Sequence, residues 1–422
     1  MSHNISIYHD RMHLNSLDKS IKKALNHHHL IDKETHSINF CGLVLLNGEA
    51  SIFFPRNTVI EDSKKAKLSA NLMQAIHLFA SQSSTYRISQ DGGDSLIGDH
   101  QLGLIFSLLE DFQKNGIYSQ RLSRFRLNAG KQNWKKTLSH STAFPARNGP
   151  FYFDIWGSAR CNIMDSEVSR IHASIIRDID KNFGWLFDSH HSISAELAEI
   201  SEPSKNDIDT LIVLLDIEMN LIYSDRDIWL LTELKRYICL VYGHDEKPEV
   251  IGVRAFHHMW EHMLGKVLND TIDINKLLPT PAYKMRSAIG EELIPTRGKS
   301  QKTDIVLKDP KSETYCIVDA KYYQASSVNT APGWSDLVKQ FFYVKALKTI
   351  VSDSSIINNA FIFPGKFGEI VSAHMVNRDS EMLFEEDYPK IQCHYFCPNV
   401  VVEHFIKRRT MSTETYNVLY AF

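Results

Sequence analysis

Asp304, Asp319 and Lys321 stand where a sequence of strands ought to be apolar. In TDIVLKDPKSETYCIVDAKYY, residues 303–323, two short β-branched and apolar runs flank a polar turn and carry these three charges. Side chains at i and i+2 of a strand share a face, so Asp319 and Lys321 project together while Ala320 faces the other way. The turn DPKSE at 309–313 folds the preceding strand back, and if the two strands pair as neighbours Asp304 arrives beside Asp319. Two carboxylates at one spot repel unless a cation lies between them. All-oxygen ligands select a hard divalent ion, and Mg²⁺ keeps several waters and takes phosphate oxygens as further ligands. Lys321 beside such an ion would orient or activate a water, or offset negative charge on a pentavalent phosphorus. This is the equipment of metal-assisted phosphodiester hydrolysis. The competing reading is a plain Asp319–Lys321 salt bridge on an edge strand. TDIV and YCIV instead read as interior strands, where unpaired charge is costly.

The elements around these residues predict a mixed α/β domain with a central sheet. A helix is expected over about 253–268, another over about 333–350, strands at 359–364, about 369–376 and 391–397, and a terminal helix from Asn399. Upstream, INFCGLVLLNGEASIFFPRN (38–57) predicts a β-hairpin turning at Asn47-Gly48. Helices are expected around 62–82 and 99–114, a strand at GPFYFDIW (149–156), and strongly helical chain over 161–243. YGHDEKPEV (242–250) is the best linker. The organisation expected is therefore 1–160 as a recognition or partner region, 161–245 as a helical module and 246–422 as the α/β domain.

A chain of 422 residues, 43% hydrophobic and 23% charged, is long and apolar enough for two or three globular domains. No apolar run reaches the ~18 residues a membrane span needs, and the opening MSHNISIYHDRMHLNS has no apolar signal core. Six cysteines without a CxxC pair argue against a disulfide framework or structural zinc site. A soluble cytoplasmic protein is expected, with no membrane partner.

Charge is uneven along the chain. From Phe112 to Phe153 there are eight Lys/Arg and no Asp or Glu, interleaved with Tyr118, Phe125, Trp134 and Phe144. Arg121, Arg124, Arg126, Lys131, Lys135 and Lys136 are the candidates for neutralising phosphates while aromatics stack on bases; the alternatives are a solvated face or a surface for an acidic partner. From Cys161 to Asp216 the balance reverses, with eleven acids against four bases. His27, His28 and His29 point in different directions around a helix and cannot share one metal.

With Asp304 and the run Asp319-Ala320-Lys321 in view, the segment resembles the PD-(D/E)xK nuclease signature, with threonine in place of the proline before Asp304. The resemblance implies a glutamate from a helix ahead of the strands, matched by Glu261 in FHHMWEHMLGKVL (256–268). It implies a glutamine on the following helix, matched by Gln340 in PGWSDLVKQFFYVKAL (332–347). Glu261, Asp304 and Asp319 would then hold one or two Mg²⁺ ions, replaceable by Mn²⁺, with the Ala320 backbone carbonyl as a further ligand. Lys321 would position the attacking water, Gln340 would orient Lys321 or the scissile phosphate, and the product would carry a 5′ phosphate.

The order FHHMWE, TDIVL, VDAKYY, PGWSDLVKQFFYVKAL, NAFIFP over about 250–376 is similar to the LlaJI-type restriction endonucleases, a McrC-like group. IFFP (52–55) and GKQNWKKT ahead of FYFD are similar in outline to McrC-like segments. The family implies an endonuclease of a restriction or phage-defence system, cutting foreign double-stranded DNA with an McrB-like AAA+ GTPase or ATPase subunit. The sequence carries no P-loop, so nucleotide dependence would come from that other subunit, and it carries no dinucleotide or SAM-type glycine fingerprint.

Two rivals remain. His258-Met-Trp-Glu261-His262 spells HxxEH, a zinc metalloprotease pattern with two histidines on one helical face; it leaves Asp304, Asp319 and Lys321 without a role. The other is a catalytically silent nuclease fold kept as a DNA- or partner-binding module. Retention of Glu261, Asp304, Asp319, Lys321 and Gln340 together argues against it.

Overall fold

The computed structural model describes residues 5–46, 48–82, 96–147, 149–163, 165–186, 197–205, 207–242, 249–287, 290–296, 298, 300–411 and 419. Most of the expected linker, 243–248, lies outside the described residues. The chain gathers into two compact units, 1–99 together with 248–422, and 100–247.

The first unit contains two five-stranded sheets. Its N-terminal sheet uses β1 (Ile5–His9), β2 (Phe40–Leu46), β3 (Glu49–Phe54) and β4 (Glu249–Arg254). They run in the order β1-β3-β2-β4, with Leu96–Ile97 on the far edge. β1 lies parallel to β3 and the other neighbours are antiparallel. β2 and β3 form the expected hairpin, closing at the Leu46–Glu49 pair. β4 joins β2 through facing glycines, Gly42 and Gly252. A Cβ on Gly252 would sit 2.3 Å from the Cys41 carbonyl oxygen and 2.6 Å from the Phe40 ring, so the close approach needs glycine.

This pairing departs from the expected organisation of 1–160, 161–245 and 246–422. The break near residue 245 is close to a unit boundary. The break at 160/161 falls inside the second unit, within one strand, and the first 99 residues belong with the C-terminal part because β4 completes their sheet.

The C-terminal sheet uses β5 (Ile305–Lys308), β6 (Thr314–Ala320), β7 (Ile356–Pro364) and β8 (Ile391–Phe396), with Ser372–Ala373 beyond β8. β6, β7 and β8 are parallel, and both edges are antiparallel. Four helices of this unit matter below: α1 (Lys65–Gln82), α2 (His257–Val267), α3 (Trp334–Lys348) and α4 (Pro398–Ile406). Parallel neighbours need a crossover, and α3 supplies it between β6 and β7. Its Val344 and Leu347 pack with Val306, Tyr315 and Ile317 of the sheet, and its Phe341 packs with Phe361, Phe363 and Ile391.

In the second unit Trp156–Ile163 is the central strand, antiparallel to Gln120–Leu127 on one side and Lys131–Gln132 on the other. The strand expected at 149–156 is displaced. Gly149–Phe151 forms only a short ribbon with Phe144–Ala146, and the long strand begins at Trp156. Pro150 offers no N–H to a ladder, which suits it to that exposed ribbon. Helices Glu167–Phe183, Ile208–Met219 and Asp225–Tyr237 account for the helical character expected after residue 161. No helix of the described residues is long and apolar enough to cross a membrane.

Candidate active site

β5 and β6 pair antiparallel with Ile305 opposite Val318, and one further step of that register sets Asp304 opposite Asp319. The Ala320 N–H donates to Asp304 Oδ2 at 3.1 Å. β6 lies between β5 and β7, so Asp319 belongs to an interior strand and not to an edge. Its carboxylate is buried, and Lys321 Nζ lies 2.9 Å from Asp319 Oδ2. The salt bridge is thus real, but it is one contact of a larger acidic cluster.

Glu261, on the middle turn of α2, completes that cluster. Burial and the nearby Asp319 raise its pKa, against the pull of Lys321. Asp304 is pushed up to about 8, by desolvation and by hydrogen bonding and repulsion from Asp319, with Glu261 adding to it. Asp304 as a whole is exposed at the mouth of the cluster. For Lys321, burial acts downward, but Asp319 and Asp336 outweigh it and the net shift is upward. Lys321 is an ammonium here.

Among the described residues no three His, Cys, Asp or Glu side chains form a ready-made metal cage. The donor chemistry nonetheless fits a hard cation. Asp304 and Asp319 stand opposite each other within the electrostatic reach of Glu261, Lys321 offsets Asp319, and burial together with the neighbouring acids raises the Asp304 carboxyl. A divalent ion would relieve the repulsion among these acids.

Gln340 departs from its expected role. It is fully buried on α3, and its amide donates to the Ala360 carbonyl of β7 at 3.2 Å. Its Oε1 is buried with no hydrogen-bond partner among the described residues. The group that meets Lys321 is Asp336, one turn earlier on α3, with Oδ1 2.8 Å from Nζ. The Tyr323 hydroxyl donates to Asp336 Oδ2 at 3.1 Å. Sequence reasoning missed Asp336 because an acid in the first turn of a helix is already explained by the helix dipole. It also missed Tyr343, three residues after Gln340, whose pKa is pushed up to about 12 by burial and by the field of Asp304 and Asp319. Tyr343 donates to the Lys302 carbonyl at 2.7 Å, ahead of Asp304.

Tyr322 anchors the chain next to Lys321. Buried against Phe256, its hydroxyl accepts the Arg56 N–H at 2.9 Å, and the Arg56 guanidinium donates to the Tyr322 carbonyl at 3.3 Å. The Lys321 N–H donates to Ile362 of β7 at 3.0 Å. Lys321 is therefore held by its backbone on both sides.

The HxxEH residues diverge. Glu261 feels the charges of Asp319 and Lys321, whereas His262 bonds Gln82 of α1 at 3.1 Å and stacks edge-on with Phe79 and Phe405. That is helix packing between α1, α2 and α4. The basic candidates lie in the second unit. Arg124, Arg126, Lys131 and Lys135 are exposed, and the side chain of Arg121 lies outside the described residues. Lys136 sits 4.0 Å above the Phe125 ring and 4.5 Å above Trp156, so its charge is engaged within the fold. Phe125, Trp134 and Phe144 are exposed as a stacking surface requires. Tyr118 is core, with its hydroxyl donating to Glu218 at 2.6 Å.

Fold and cluster together define a mixed α/β protein with an acidic, lysine-bearing site at the end of a parallel strand. Residues 40–376 match the LlaJI restriction endonuclease model, and the chain belongs to that family. No curated protein matches it. Among solved structures it is similar to a half-complex of Thermococcus gammatolerans McrB AAA+ hexamers with bound McrC. That likeness is at 12% identity and a TM-score of 0.41, covering 96% of this chain and 98% of that one. It is also similar to the Thermococcus gammatolerans McrBC complex, at 11% identity and a TM-score of 0.29, covering 62% of this chain and 85% of that one.

Proposed function

We propose that this chain is the PD-(D/E)xK endonuclease subunit of a restriction or phage-defence system, hydrolysing phosphodiester bonds in foreign double-stranded DNA with Mg²⁺. The observation that supports it is the register that sets Asp304 opposite Asp319, with Glu261 and Lys321 beside them. Glu261, Asp304, Asp319 and the Ala320 carbonyl would hold the ion, which when bound supplies Lewis acidity at the phosphate and a more acidic water. Asp319 and Asp336 also set the negative field that keeps Lys321 charged. An ammonium has no lone pair, so Lys321 acts as a donor: it orients the attacking water or offsets charge on the phosphoryl oxygens. An McrB-like NTPase partner is proposed from the family resemblance and from the lack of a P-loop in this sequence.

The test is cleavage of unmodified and methylated plasmid with Mg²⁺ or Mn²⁺, with and without an NTPase subunit, beside Asp304→Ala. Cutting by the wild type and none by the variant supports the reading. No cutting under any of these conditions would sink it, and DNA binding without cutting would point to a silent module.

A further inference from the structure

Lys321 has two carboxylates at nearly equal distance, Asp319 Oδ2 at 2.9 Å and Asp336 Oδ1 at 2.8 Å. All three side chains are at most 14% exposed, so neither contact is diluted by bulk water. The two acids are otherwise unlike. Asp319 lies in the carboxylate cluster with Asp304 and Glu261, the set a cation would draw together. Asp336 stands apart, fixed in the first turn of α3 by its N–H to the Gly333 carbonyl at 3.0 Å. Its second oxygen is taken by the Tyr323 hydroxyl at 3.1 Å. Both Asp336 oxygens thus serve protein donors, and the helix N-terminus favours negative charge there.

We infer that Asp336 is a positioning residue: it keeps Lys321 in place when a divalent ion takes Asp319, and so frees Asp319 to act as a ligand. The inference rests on the nuclease reading above. With Asp336 present, an ion arriving at Asp319 leaves the ammonium with a full carboxylate partner at its present position. With Asp336 neutralised, the ammonium depends on Asp319 alone, and the ion must displace it. Gln340 does not hold that place: its amide N–H donates to the Ala360 carbonyl, and its Oε1 receives no bond from Lys321. Tyr323 belongs to the same device, because it fixes the rotamer of Asp336.

The experiment is Mn²⁺ titration by calorimetry together with steady-state cleavage, on the full chain and its partner subunit. Losing one charged partner of a buried pair should raise the Mn²⁺ Kd of Asp336→Asn about tenfold or more. Its kcat should fall while KM for DNA stays level, because DNA binding does not use Asp336. Asp336→Glu should recover part of both. In a Lys321→Ala background Asp336→Asn should change Mn²⁺ affinity no further, since the competitor is gone. Wild-type affinity and kcat in Asp336→Asn would overturn the inference and leave the nuclease reading standing. Equal weakening with Lys321 present or absent would also overturn it, making Asp336 a residue of the fold only. A wild type that binds no Mn²⁺ would overturn the nuclease reading itself, and this inference with it.

Discussion

Asp304 shows at the scale of one residue what the site costs the fold. Its carboxyl is pushed up to about 8 with Asp319 opposite and Glu261 close by, so in the absence of a cation this corner of the sheet is under electrostatic strain. Strain of that kind is common where binding or catalysis is built in. Asp304→Asn keeps the shape and the acceptor for the Ala320 N–H while removing the carboxyl whose ionisation the fold opposes. It should abolish cleavage yet raise the metal-free stability by about 1 kcal/mol, a figure kept small because Asp304 is exposed. Thermal unfolding with chelator present checks this, and a lower melting point would show that repulsion is not what Asp304 experiences. Asp304, Asp319 and Lys321 were legible in the sequence because strand periodicity and a short turn determine where they point. Asp336 was not, because its role depends on which strand α3 crosses. Gln340 was legible as a polar residue on the right helix, but its partner, a backbone carbonyl of β7, was not.

Among the elements, α2 shows how little a linear pattern says about direction. Glu261 and His262 are adjacent, yet one is coupled electrostatically to Asp319 and the other is clasped by α1 and α4, which dissolves the HxxEH pattern. Helix Glu167–Phe183 of the second unit presents another histidine the sequence left unremarked. His172 is fully buried, and its Nδ1 accepts the Tyr118 N–H at 3.0 Å. Burial pushes its pKa down to about 3, Arg226 acting the same way and Asp111 against it. The folded value lies below the unfolded one, near 6.5, so on acidification the unfolded chain takes up the proton first. Stability from this group is complete above about pH 6.5 and is lost progressively toward pH 3. His172→Gln, which retains an acceptor, should flatten that acid loss. Calorimetry of wild type and variant from pH 7 to pH 4 measures it, and parallel curves for the two proteins would rule His172 out as the source.

Over the whole molecule, the unit at 100–247 interrupts a unit whose two halves complete one sheet. No local pattern reveals this: β2 and β4 are about two hundred residues apart, and each reads as an ordinary strand. The basic segment falls within the interrupting unit, where Arg124, Arg126 and Lys135 are exposed; Arg124 and Arg126 share one face of their strand and Phe125 points to the other. Lys136 is a poorer probe than the sequence implies, because its ammonium lies over two rings and its loss would disturb packing. If this face holds DNA, each cation on a phosphate contributes about 0.9 to the slope of log K against log salt. Replacing Arg124, Arg126 and Lys135 by Ala in an Asp304→Asn chain, which binds without cutting, should lower that slope by roughly 2 to 3. Affinity at low salt should fall similarly for unrelated sequences, since phosphate contacts carry no sequence information. Fluorescence anisotropy across a salt series decides it. An unchanged slope with full affinity would move the basic face from nucleic acid to a protein partner, and binding of the NTPase subunit by the same triple variant would then be the quantity to follow.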